Sequence, residues 1–218
     1  MSTRTSLSIK RILISLCIFI LIPLSAGFLN QYMNQLAISY MVTMNIGGAI
    51  MIFYDWNLFG IHYNRSKHNI FDTVLYTSFG ALCLMLWLYV GFHFFQSNLV
   101  IPGTSDLISY GYARPGMLIA FSFMQACILS IGYKCLTDHF DVRGKEIQSI
   151  LLSGIVFGFL YTVLYLPYFS YSLFFRTYIY NIVLISFMSY LYNQSHSLFP
   201  GILAFTIVYL VGMYSVLI

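Results

Sequence analysis

Seven apolar stretches constrain this chain more than anything else in it. They run approximately over residues 11–29, 35–54, 70–93, 115–133, 147–166, 177–192 and 199–217. A helix of about 20 residues crosses the roughly 30 Å of hydrocarbon in a bilayer, and all but the short sixth stretch reach that length. In lipid every backbone N–H and C=O must find a partner within the protein, which leaves helices or closed barrels. Barrel strands alternate apolar and polar residues, whereas these runs are continuous. The expected fold is all-α, a polytopic membrane bundle of about seven transmembrane helices forming a single membrane domain over 1–218. Composition agrees: 60% of the 218 residues are hydrophobic and 7% are charged. A water-facing surface cannot be built from so few charges.

Lys and Arg set the expected orientation. With the N-terminus inside, the inner side holds Arg4, Lys10, Arg11, Arg65, Lys67, Lys134, Arg143 and Lys145, and the outer side holds Arg114 and Arg176. This favours N-in, C-out and an odd number of spans. The first run also has the look of a signal peptide, with a basic start, ILISLCIFILIPL and then SAG. Charge does not separate the two readings, because cleavage would leave six spans with the same bias. The stretches 56–69 and 134–146 read as inner loops, and 94–113 as an outer loop with Pro and Gly turn signals. The net charge of +4 is spread out, so no nucleic-acid surface is expected. The cysteines, Cys17, Cys83, Cys127 and Cys135, form no CxxC pair and no metal spacing.

Hydrolysis within a membrane needs a carboxylate, a metal, or a base beside Ser or Cys. HExxH and GxSxG are absent. Tyr54-Asp55 resembles one half of an aspartyl pair, but a second Asp deep in another run is missing. Asp72 and His93 stand some 20 residues apart on the third run, about 30 Å along a helix, and read as interfacial residues. TDHFDVRGKE, 137–146, gathers Asp138, His139, Asp141 and Glu146. It reads as a solvated inner loop in which Asp138 or Asp141 caps a turn. His62 and His68, among Arg65 and Lys67, read the same way. The middles of the runs hold no ionisable residue, which argues against ion-coupled transport and intramembrane hydrolysis. Asn45, Gln125 and Asn181 remain there to bond between helices. No metal or other cofactor is expected.

The second half resembles the CAAX protease and bacteriocin-processing (CPBP, or Abi) family of intramembrane proteases, over residues 115–217. That family carries Glu-Glu-x-x-x-Arg, then Phe-x-x-x-His, then a late helix with His-x-x-x-Asn or Asp after a Ser-Leu turn and a Pro. SGIVFGFLY, 153–161, is similar to the second motif, with Phe157 in place and Tyr161 at the His position. SLFPGILAFTIVY, 197–209, is similar to the third, with Phe205 and Tyr209 at the two ligand positions. ACILSIGY, 126–133, takes the first, with Ala126 and Cys127 at the glutamate positions and Ile131 at the arginine position. In the family the glutamates activate water and the histidines assist, so the resemblance implies a degenerate member without catalytic residues. Such a protein would bind other membrane proteins in a bacterial plasma membrane: sensor kinases, cell-wall enzymes or bacteriocin systems. An active endopeptidase using Asp72, Asp138, His139 or Glu146 is the second reading. A small transporter or immunity protein with a polar cavity lined by Asn45, Gln125 and Asn181 is the third. Ser197 and Pro200 suit the start of the last helix.

Overall fold

A computed structural model describes residues 9–95, 115–141, 145–164 and 171–215. Among these residues the chain forms α-helices and no strand. They are α1 (Ile9–Met33), α2 (Leu36–Tyr54), α3 (Trp56–His68), α4 (Ile70–Val90), α5 (Pro115–Asp141), α6 (Glu146–Val163), α7 (Tyr171–Ser195) and α8 (Phe199–Ser215). A π-helical turn, Gly91–Phe95, extends α4. Six helices, all but α3 and α8, are long and apolar enough to cross a membrane, and α8 is a shorter apolar helix. The short sixth run, expected over 177–192, is a 25-residue helix once its polar flanks are included.

The expectation of a loop over 56–69 is corrected. One residue, Asp55, separates α2 from α3, and one, Asn69, separates α3 from α4. Neither takes helical torsions, at φ −107°, ψ 30° and φ −114°, ψ 57°. Apolar residues recur through WNLFGIHY at helical spacing, and the polar composition of this segment conceals a half-buried helix.

α5 lies at the centre and packs against α1, α2, α6, α7 and α8. α6 and α7 pack closely along their lengths, and glycine lets them do so. A Cβ on Gly154 would collide with Ser186 Oγ and stand 2.6 Å from the Ile182 carbonyl oxygen. A Cβ on Gly158 would stand 3.0 Å from the Ile182 nitrogen. Small residues four apart let two backbones approach, which is how helices associate where no hydrophobic force separates protein from lipid. α4 packs mainly on α8. The turn from α7 to α8 places His196 at φ 53°, in the left-handed region uncommon for a side chain of this size.

A buried polar network at the basic end

The helices run up and down, so the start of α1, the end of α2, the end of α5, the start of α6, the end of α7 and the start of α8 meet at one end. α3 lies across this end, bonded to the α7–α8 turn. This is the end rich in Lys and Arg.

Lys134 is at its centre. Lys134 and Asp138, one turn apart on α5, form an ion pair, and each is 1% exposed. The Tyr192 hydroxyl of α7 bridges them. It accepts from Lys134 Nζ at 2.7 Å and donates to Asp138 Oδ1 at 2.7 Å. The ammonium also lies 4.9 Å from the Tyr192 ring centre. Removing a charge from water costs several kcal/mol, so these groups tolerate burial only together. One turn away, Thr137 Oγ1 donates to the Tyr133 carbonyl at 2.8 Å and bonds the hydroxyls of Ser189 at 2.5 Å and Ser153 at 3.2 Å. These contacts join α5, α6 and α7.

A second ion pair sets Arg11 Nε 2.9 Å from Asp55 Oδ1 and joins α1 to the α2–α3 junction. The N–H is not aimed at that oxygen, so the attraction is Coulombic more than a hydrogen bond. Burial raises the Asp55 carboxyl above its ordinary value, and the charges of Arg11 and Lys134 oppose the rise.

His62 of α3 is 3% exposed, with its ring edge-on to Tyr192 at 5.9 Å. Neither ring nitrogen makes a well-formed hydrogen bond. Burial first, then the charges of Lys134 and Arg65, push its pKa down to about 3, and the nearby His196 backbone opposes this weakly. The imidazole is therefore neutral at neutral pH. α3 is held in place beside it: Ser66 Oγ bonds Ser197 Oγ at 2.7 Å, Ser197 Oγ donates to the His62 carbonyl at 3.2 Å, and Arg65 donates to the His196 carbonyl. On the α6 side Asn193 donates to Glu146.

Several expectations change here. Residues 137–141 continue α5 and do not form a solvated loop, and Asp138 caps no turn because Lys134 and Tyr192 engage it. The side chains of His139 and Asp141, and all of Arg143, lie outside the described residues. His62 and His68 part company: His62 is buried, while His68 is exposed and bonds the Asn64 carbonyl at 2.7 Å. Ser197 does approach the Phe199 N–H, at 3.4 Å, but its shorter bonds go to α3. Asp72 and His93 lie at opposite ends of α4 and its π turn. Asp55, in sequence like one half of an aspartyl pair, is instead the partner of Arg11, and the Lys134–Asp138–Tyr192 bridge has no counterpart among the sequence motifs. The i, i+4 spacing of Lys134 and Asp138 was the available signal.

Ala126, Cys127, Ile131, Tyr161, Phe205 and Tyr209 are all interior, at most 3% exposed. Tyr161 Oη accepts from Gln125 Nε2 at 2.8 Å. Phe205 stacks on Tyr209 at 5.4 Å, and Tyr209 meets Phe121 edge-on. Gly132 lies against Phe157, whose ring a Cβ would meet at 2.5 Å. Asn181 donates to Thr162 Oγ1 at 2.9 Å and Asn45 to the Met41 carbonyl at 2.9 Å. Among the described residues no three His, Cys, Asp or Glu side chains group as a metal site.

No protein-family model, curated protein or solved structure matches the chain. Its class rests on the fold: a helical protein whose apolar helices have the length of membrane spans.

Proposed function

We propose that this chain is a noncatalytic multi-pass membrane protein that works by holding other membrane proteins against its helix faces. The reading includes seven spans, an inside N-terminus, a bacterial plasma membrane and descent from a CPBP-type scaffold. One observation carries it: Asp55, Asp138 and Glu146 at the basic end are engaged within the protein, while Asp72, at the start of α4, is exposed. Asp55 faces Arg11, Asp138 faces Lys134 and Tyr192, and Glu146 accepts from Asn193. A general base needs a free lone pair within reach of its substrate proton; Asp55 and Asp138 are buried, and Glu146, though exposed, has one carboxylate oxygen engaged by Asn193. The six positions that resemble the family's ligand sites are closed packing.

Binding needs a face. α1 exposes Leu13, Ile20, Leu24 and Phe28, and Gly27 beside them faces nothing within 4 Å. Glycine inside a helix costs roughly 0.5–1 kcal/mol relative to Ala. Gly48, Gly132, Gly154 and Gly158 each admit a close neighbour within the chain. Gly27 offers the same allowance to a helix from outside.

The test is mild crosslinking of the tagged protein in native membranes, followed by identification of what comes with it. An intact, stoichiometric membrane partner supports the reading. A partner recovered as two fragments, and whole when this chain is absent, overturns it in favour of a peptidase.

A further inference from the structure

α3 has two working faces. Leu58, His62 and Ser66 face the network, whereas Trp56, Gly60 and Tyr63 follow one another a turn apart on an adjacent face. That second face forms a groove of about 380 Å³ with Ile52 of α2, Phe123 of α5 and Phe199 of α8. The lining is almost wholly apolar. The volume is in the range of about 300–1,000 Å³ typical of small-ligand sites. Tyr63 meets Phe199 edge-on at 5.9 Å and closes one side. Gly60 forms part of the wall, and a Cβ there would meet no atom within 4 Å.

Charge indicates the occupant. The same face continues one turn past Tyr63 to Lys67, which is exposed. The last turn of α3 carries Arg65, Lys67 and His68, and the exposed acid that follows, Asp72 of α4, lies in a separate polar cleft with Arg65 and lines no part of the groove. Asp55, before the helix, is buried against Arg11. An apolar slot that leads to a basic terminus at the membrane surface fits an amphiphile with an apolar tail and an anionic head. We propose that this groove binds an anionic phospholipid, with one acyl chain against Trp56, Phe59 and Phe199 and the phosphate at Lys67. The proposal requires only that α3 lie at a membrane surface, and it is independent of the partner-binding reading.

The chain has two tryptophans, Trp56 and Trp87. Trp87→Phe leaves Trp56 as the sole emitter, in the groove itself. The full chain, reconstituted in phosphatidylcholine vesicles, is titrated with brominated phosphatidylglycerol or brominated phosphatidylcholine, and Trp56 quenching is followed. The anionic lipid should displace the zwitterionic one with about a fivefold preference, the worth of one Lys near an anionic surface. Lys67→Gln should bring the ratio near one and leave the maximal quenching unchanged. Gly60→Leu should reduce quenching by both lipids. A Cβ at this position meets no atom within 4 Å and Leu favours the helix over Gly, so the fold should survive. If Trp87→Phe does not fold, the wild type minus Trp56→Phe gives the same signal. Equal quenching by both lipids overturns the proposal, as does a preference that survives both variants. Absence of quenching by either lipid means that protein covers the groove, and also overturns it.

Discussion

Lys134→Met removes the charge at the centre of the network and leaves Asp138 in place. The carboxylate, 1% exposed, keeps the Tyr192 hydroxyl at 2.7 Å and loses its counter-ion. Breaking a buried pair from one side costs about 3–5 kcal/mol, because the remaining charge has lost its counter-ion and has no water to replace it. Removing both charges is a different perturbation. Lys134→Met with Asp138→Leu puts apolar groups of similar size in the same space, and such exchanges are often neutral or stabilising. The double variant should therefore be more stable than Lys134→Met alone, by at least about 2 kcal/mol. Tyr192→Phe isolates the bridge. It removes the bridging hydroxyl but leaves the two charges paired, so it should fall between wild type and Lys134→Met. Reversible unfolding in mixed detergent micelles, followed by Trp emission, measures these four proteins and the single variant Asp138→Leu. If Lys134→Met is within about 0.5 kcal/mol of wild type, or the double variant is as poor as the sum of the singles, the pair is not a buried, mutually dependent unit.

Gly154→Val should separate α6 from α7 and cost about 1–3 kcal/mol through overpacking, measured by the same unfolding assay. Gly27→Leu meets nothing within 4 Å, so it should leave stability within about 1 kcal/mol of wild type while lowering the yield of crosslinked partner. Tyr161→Phe removes the acceptor of the Gln125 amide and should cost about 1 kcal/mol in unfolding, without affecting partner capture. His62 gives the pH test. The folded protein keeps it neutral down to about pH 3, while the unfolded chain protonates it near 6.5. In that window the unfolded state binds more protons, so stability falls as pH drops, by at most about 1.4 kcal/mol per unit. Asp55, with its raised carboxyl, acts in the opposite sense, from just above the ordinary carboxylate range upward to its own shifted value. Comparison with His62→Phe from pH 7 to pH 4.5 isolates the histidine, and a variant with the same acid slope as wild type refutes its role.

The helical class was legible because long continuous apolar runs have few other solutions. Even the short sixth run pointed to α7. The polar segments were not legible. Between 56 and 69 the charges of Arg65 and Lys67 and the histidines dominate the composition, but Leu58, Phe59, His62 and Ser66 sit on one buried face. Composition averages over both faces of a helix, and burial does not. The segment 137–146 failed for a related reason. Lys134 and Asp138 read as solvated because each alone would be, and only the approach of Tyr192 from α7, 54 residues beyond Asp138, makes their burial tolerable. Tertiary pairing of that kind leaves no local periodicity. The i, i+4 spacing was visible, but it is shared by many exposed helical pairs.

The two faces of α3 make the network and the groove parts of one mechanical problem. α3 is thirteen residues long with a non-helical residue at each end, a separate rod between α2 and α4. It is seated by Ser66 and the His62 carbonyl on Ser197, by Arg65 on the His196 carbonyl, by the His62 ring on Tyr192 and by Tyr63 on Phe199. Phe59 lies between the faces, buried on one side and part of the groove wall on the other. Trp56 and Phe59 line the groove on the same helix that carries His62 into the network. Gly60→Leu adds a side chain on the groove side. In the unfolding assay its effect should add to that of Ser66→Ala if α3 is rigidly seated, within the roughly 0.5 kcal/mol expected of independent sites. A deficit or excess beyond that would mean that the lipid-facing and network-facing sides of this helix are energetically coupled.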